Sequence, residues 1–199
     1  MHAYQHCDGP PLLWSSRVFG GWPADRRVRN ECRLPNGQAP GTAIMRTTIV
    51  STSDRPDLVE VTARWRWEAF LRDTRPFEDV LRRAQRTSVM GLAIPRTLVL
   101  LVDGEPVATA SLTEHDLDER PDLTPWLAGV FVAPHVRGRG YARRLVAAVE
   151  EEARTGQIST LWLYTNTAER VYARVGWRTV ETVLHNGKPF ALMSRDLPP

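Results

Sequence analysis

The stretch from Trp126 to Ala142 constrains the fold most. Trp126 to Val132 is almost wholly apolar, the pattern of a buried central strand. It runs into Ala133-Pro134-His135-Val136-Arg137-Gly138-Arg139-Gly140, and Tyr141-Ala142 then open a helix with Ala142, Leu145, Val146, Val149 and Ala153 on one face. A buried strand that turns through glycines into a helix is a ready anion site. The first helical turn leaves backbone N–H groups without partners, and its dipole favours negative charge. Gly138 and Gly140 permit unusual backbone angles and close approach of a bulky anion. Arg137 and Arg139 place positive charge where it disfavours the helix itself, which points to a ligand as their partner. The stretch lacks the Lys-Ser/Thr ending of the P-loop and the G-x-G-x-x-G of dinucleotide folds. Two other readings stay open on these residues: a surface turn with solvated arginines, and an RNA-binding Arg-Gly tract, although one Arg-Gly-Arg-Gly is not a repeat.

The chain around this stretch reads as alternating strands and helices. Thr47 to Val50 is a short strand of β-branched residues. Asp54 or Asp57 is expected to cap a helix with Leu58, Val61, Trp65 and Ala69 on one face, and Thr74 to cap a second with Phe77, Val80, Leu81 and Ala84. Thr97 to Val102 and Val107 to Leu112 flank Asp103-Gly104-Glu105-Pro106 as a hairpin. After the central strand and its helix come a strand at Leu161-Trp162-Leu163-Tyr164 and a short helix with Ala168, Val171, Tyr172 and Val175 on one side. A closing hairpin follows, Thr179 to Leu184 and Phe190 to Met193 around Asn186-Gly187. The expectation is one mixed α/β domain over residues 45–199.

Residues 1–44 differ in composition. They hold 5 Gly and 5 Pro without a helical or strand period, and both cysteines, Cys7 and Cys32. They are expected to form a poorly ordered extension, with Met45 as the natural start. The extension carries 5 Arg against 3 acids, so it supplies +2 of the formal +3 net charge. From Met45 onward 21 basic residues meet 20 acidic ones, which weakens the nucleic-acid reading that the overall basic balance invites. No uncharged apolar run approaches the roughly 20 residues of a membrane span. Two widely spaced cysteines suit neither a disulfide framework nor a zinc site. The expected setting is the cytoplasm, with no metal, as monomer or homodimer.

The glycine–arginine stretch resembles the acetyl-CoA loop of the GNAT (Gcn5-related) N-acetyltransferase superfamily, Arg/Gln-x-x-Gly-x-Gly/Ala, as Arg137-x-x-Gly140-x-Ala142. The family's second signature, a strand and then a helix carrying Ala-x-x-x-Tyr and ending Gly-Phe or Gly-Trp, corresponds to Leu161 to Tyr164, Ala168 to Tyr172 and Gly176-Trp177. The resemblance implies a mostly antiparallel mixed sheet flanked by helices and an acetyl-CoA-dependent transfer to a primary amine. It implies that Arg137, Gly138, Arg139, Gly140, Tyr141 and Ala142 hold the pyrophosphate through their N–H groups. Val130, Phe131 and Val132 would pair with the pantetheine arm, and one N–H there would polarise the thioester carbonyl. Tyr172 matches the family's general acid. Many members place an Asn on the cofactor arm where this chain has Thr165, with Asn166 beside it; either could serve, or Asn166 could cap the helix.

Many members also carry a Glu base on the central strand, which here holds no acid or His. The nearest candidates are Glu114, His115 and Asp116, in a connector with five acids against one Arg from Glu114 to Asp122. That charge is expected to attract a cationic amine, with Trp126 and Trp177 either lining the same region or lying in the core. The competing reading from a different class is a non-catalytic acyl-CoA-binding sensor or partner module, since fold alone does not establish chemistry.

Overall fold

The computed structural model describes residues 45–89 and 94–198. The expectations for residues 1–44 lie outside the described residues. Seven strands form one sheet in the order β1-β2-β3-β4-β5-β7-β6. They are β1 (Thr47–Ser51), β2 (Arg96–Val102), β3 (Glu105–Thr113), β4 (Trp126–Val132), β5 (Thr160–Thr165), β6 (Arg178–His185) and β7 (Lys188–Asp196). Every neighbouring pair is antiparallel except β4 and β5. Four helices accompany the sheet: α1 (Val59–Arg66), α2 (Phe77–Val89), α3 (Tyr141–Thr155) and α4 (Glu169–Ala173).

Strand alternation sorts the core into layers. In β2, Leu98 and Leu100 join α3 residues Leu145, Val146, Val149 and Ala153 in the main core. Val99 and Leu101 point the other way, to Leu58 and Val61 on the α1 side. A third cluster of Leu117, Trp126 and Leu192 closes the far half. Both hairpin turns use paired positive φ angles, Asp103-Gly104 and Asn186-Gly187, the type I′ geometry whose twist matches the strands.

Helix starts depart from the capping expected. A single 3-10 turn, Pro56–Leu58, precedes α1, and neither it nor α1 has a side-chain cap. Asp57 is instead held by Arg55 at 2.6 Å. Pro56 supplies the fixed φ that starts the turn, so no capping oxygen is needed. The Thr74 hydroxyl donates backward to the Leu71 carbonyl at 3.1 Å rather than forward to α2. The stripe on α1 is rotated as well: Val59, Thr62 and Ala63 are its buried residues, while Ala69 is exposed in a π-helical turn, Trp67–Leu71. That widened turn shifts the helical phase after Arg66, which the 3.6-residue period could not anticipate.

Gly176-Trp177 is a structural knot. Gly176 has φ +93, and a Cβ there would stand 1.9 Å from Arg195 Nη1; Arg195 donates to the Gly176 carbonyl at 2.8 Å. Trp177, 2% exposed, donates its indole N–H to the buried Glu150 carboxylate of α3 at 3.0 Å. Trp126 is fully buried. Both tryptophans therefore belong to the core.

Candidate active site

β4 and β5 share a single register pair, Trp126 with Trp162, supported by the Trp162 N–H to the Pro125 carbonyl at 3.1 Å. Beyond it the two parallel strands separate. On its other edge β4 stays bound to β3, with Phe131 opposite Thr109 and Val132 opposite Ala108. The Ala133 N–H donates to Val107 of β3. By the alternation of an antiparallel ladder, Phe131 then faces β3 while Val130 and Val132 turn their backbone groups into the gap. An open strand edge in mid-sheet invites an extended ligand as an added strand.

The same strand leads to the glycine–arginine loop. Gly138 and Gly140 both take φ +79, and no heavy atom lies within 4 Å of a Cβ added at either. Gly140 is the N-cap of α3 and has no side-chain cap. The first helical bond runs from Arg144 N–H to the Gly140 carbonyl, so the N–H groups of residues 138–143 find no backbone acceptor among the described residues, whereas the Arg137 N–H, expected to face the pyrophosphate, donates to the Pro134 carbonyl at 3.4 Å. The 15-residue α3 adds its dipole. Arg137 folds back, its Nε donating to the Val132 carbonyl at 3.0 Å. It clamps the loop to the strand end; both Arg137 and Arg139 are exposed. The Tyr141 ring is buried at 6% exposure in the core, so only its backbone faces the loop. An open loop with orphan N–H groups at the end of a free strand edge fits the pyrophosphate and pantetheine of coenzyme A.

Tyr172 sits on α4, packed against the main core and edge-on to Trp177 at 6.1 Å between ring centres. Burial pushes its phenol up to about 12. Thr165 has a local role: its hydroxyl accepts from the N–H groups of Thr167 (3.4 Å) and Ala168 (3.0 Å) at the entrance to α4. Asn166 is exposed and does not cap α4, whose N-cap, Ala168, has no side-chain cap; the Thr165 hydroxyl instead orders the turn that leads into it.

On the opposite face of the sheet, the connector after β3 is anchored by Leu117, 3% exposed beside Trp126 and Leu192. This seats Asp116 in a polar cluster, while Glu114 and His115 are exposed. The Tyr164 hydroxyl of β5 donates to the Asp116 backbone carbonyl at 3.4 Å. Burial drives the Asp116 carboxyl up to about 6, opposed by the charges of Arg66, His185 and Arg83. The Tyr164 phenol is raised for the same reason, helped by Asp116 and Glu119. The connector is tied to the β6–β7 hairpin by His185 Nδ1 with Glu119 at 2.9 Å and by Arg120 with Glu181.

Arg66, Tyr164 and His185 did not stand out in the sequence. Arg66 ends α1, Tyr164 lies in an apolar strand and His185 ends β6; only folding brings them to Asp116. Among the described residues no group of three or more His, Cys, Asp or Glu is placed to hold a metal, and no helix is long and apolar enough to cross a membrane.

The fold and site define an acyl-CoA N-acyltransferase, a mixed sheet opened at its one parallel pair above a glycine loop. Residues 59–177 match the acetyltransferase (GNAT) family, and the chain belongs to it. It is an acetyl-CoA-dependent acyltransferase of that family. Among solved structures, aminoglycoside 6'-N-acetyltransferase complexed with coenzyme A is similar at 14% identity and TM-score 0.62, covering 76% of this chain and 98% of that one. Ribosomal-protein-alanine N-acetyltransferase from Brucella melitensis is similar at 19% identity and TM-score 0.57, covering 76% and 99%. The yncA protein of Salmonella typhimurium with its cofactor acetyl-CoA is similar at 16% identity and TM-score 0.56, covering 78% and 95%. Such identities establish the fold. A search of the curated proteins found no match.

Proposed function

We propose that this chain acetylates a primary amine by direct attack on acetyl-CoA, both substrates being bound together. The observation that carries the reading is the gap between β4 and β5, which ends at an open glycine loop on the N-terminus of α3. Acetyl-CoA supplies the activated acetyl thioester. The N–H groups of residues 138–143 hold its pyrophosphate, and the free edge at Val130 and Val132 aligns its arm. A strand N–H stabilises the negative charge that grows on the carbonyl oxygen.

Asp116 is the base, reached from the opposite face of the sheet. It takes a proton from the amine as the nitrogen bonds to the carbonyl carbon. A carboxyl titrating near 6 is ionised at neutral pH yet far more basic than an ordinary aspartate. The carbon–sulfur bond then breaks, and Tyr172 donates a hydrogen bond to the departing thiolate. Glu114, exposed on the same connector, is a weaker candidate because no hydrogen bond or ion pair with a described residue fixes its direction.

Two measurements test the reading together: thermal stability with added acetyl-CoA, and release of free coenzyme A in the presence of a panel of primary amines. Stabilisation at 100 times the dissociation constant should reach about 2.7 kcal/mol, and at least one amine should accelerate thiol release above hydrolysis. Stabilisation without transfer to any amine would favour the acyl-CoA sensor instead.

A further inference from the structure

The last residue of α1, Arg66, is laid across β4 where that strand bulges and leaves β5. Gly129 takes φ +59 there, and a Cβ on it would stand 2.8 Å from Arg66 Nε and 3.3 Å from its Cδ. The ladder to β3 shifts register between Thr109 and Ser111, so β4 carries one extra residue at this point. The neighbouring Trp65 stacks on Phe131 with 5.3 Å between ring centres. The end of α1 thus covers β4 beside the segment that would hold the acetyl thioester.

The Arg66 guanidinium makes no ion pair or side-chain hydrogen bond with any described residue. It is partly buried, and burial pulls its pKa down while Asp116 and Tyr164 support its charge. Arg83 adds a second positive charge toward Asp116. Of the other four acids of the connector, Glu114 and Asp118 are exposed, and the remaining two are engaged. Glu119 holds His185, and Arg120 is shared by Asp122 and Glu181. The inner wall therefore offers one partly buried carboxylate and an arginine still free to form a bidentate pair. A polyamine would bring a second positive charge to Arg66 and Arg83, which is repulsive.

We propose that the acceptor is a free amino acid or a close analogue, whose carboxylate pairs with Arg66 while its amine faces Asp116. This rests on the acetyl-transfer reading above and names its substrate class. Gly129 then has a functional reason, since any side chain there would displace the arginine from the acceptor's path. The carboxylate also fixes the amine's direction, which an enzyme working by proximity needs.

The test uses the full chain with acetyl-CoA and compares the standard amino acids with their α-carboxamides and with spermidine. At least one amino acid should be acetylated, with kcat/KM about 10- to 100-fold above its amide. Arg66→Gln should erase that ratio through KM for the acid, leave KM for acetyl-CoA unchanged, and be partly rescued by Arg66→Lys. A folding defect in these variants would not block the test. In the native chain, the 2-hydroxy acid matching the preferred amino acid should inhibit competitively against the acceptor, and its amide should not.

Equal or better use of amides or spermidine overturns the proposal while leaving acetyl transfer standing. So does stabilisation by acetyl-CoA with no amino acid acetylated. Absence of both stabilisation and transfer overturns the acetyl-transfer reading as well.

Discussion

Asp116 keeps its proton to about pH 6 because the fold half-buries it between Leu117 and the Tyr164 wall. The charged groups facing it are Arg66 from α1, Arg83 from α2, His185 at the end of β6 and Asp118 of the connector. The three basic groups favour ionisation, so desolvation outweighs them. Between pH about 4 and 6 the folded state then binds more protons than the unfolded chain. Stability consequently falls as pH rises through that window and stays lower above it. Asp116→Asn should be more stable than the native chain at pH 8, by about 1–3 kcal/mol, with the difference gone below pH 4. The same variant should lose the rise in turnover centred near pH 6 and fall about 100- to 10,000-fold in kcat. Urea unfolding at several pH values and a pH–rate profile read the two effects separately. Equal stability at pH 8 would mean that the carboxyl is well solvated. Tyr172 differs in kind: at about 12 its phenol lies about three and a half units above an ordinary thiol. Full proton transfer to a thiolate would be uphill by roughly 5 kcal/mol, so donation of a hydrogen bond is its expected contribution. Tyr172→Phe should lower kcat about 10- to 100-fold with acetyl-CoA affinity retained, and unchanged turnover would remove it from the mechanism.

At the scale of elements, legibility followed how local the physics was. The span of β4 was readable to the residue because a strand buried in mid-sheet carries an apolar run bounded by turn formers. Both hairpins were readable because Asp-Gly and Asn-Gly adopt the required positive φ. The start of α1 was misread because Pro56 sets up a 3-10 turn without a capping oxygen. The shift of phase at Trp67 had no period to announce it. The meeting of Arg66, Asp116, Tyr164 and His185 was invisible because four separate elements supply them. The Gly176-Trp177 pair lies between these extremes. Its identity stood out in the sequence, but its reason is the Arg195 side chain crossing the turn. Gly176→Ala should therefore be costly twice over, by strain at φ +93 and by collision with Arg195, for at least about 2 kcal/mol. Chemical unfolding measures it, and a loss below about 0.5 kcal/mol would show that Arg195 yields freely.

On the scale of the whole sheet, β1-β2-β3-β4 and β5-β7-β6 are two well-laddered blocks joined along one short parallel contact. Side chains reinforce that joint near its closed end, where Leu117, Trp126 and Leu192 cluster. Toward the glycine loop no strand hydrogen bonds cross between the blocks among the described residues. A ligand lying in the gap would satisfy backbone groups of β4 and the start of α3 at once, and would act as the missing strand between the blocks. Hydrogen exchange makes this a sharp prediction. Saturating acetyl-CoA should slow exchange at Val130 and Val132 and at residues 138–143, because those N–H groups exchange from the folded state through an open edge. The N–H groups of β2, already laddered on both sides, should change only as far as global stability rises. Peptide-resolved exchange with and without acetyl-CoA distinguishes the cases. Equal protection across both regions would mean that the ligand stabilises the fold from elsewhere and does not fill the gap between β4 and β5.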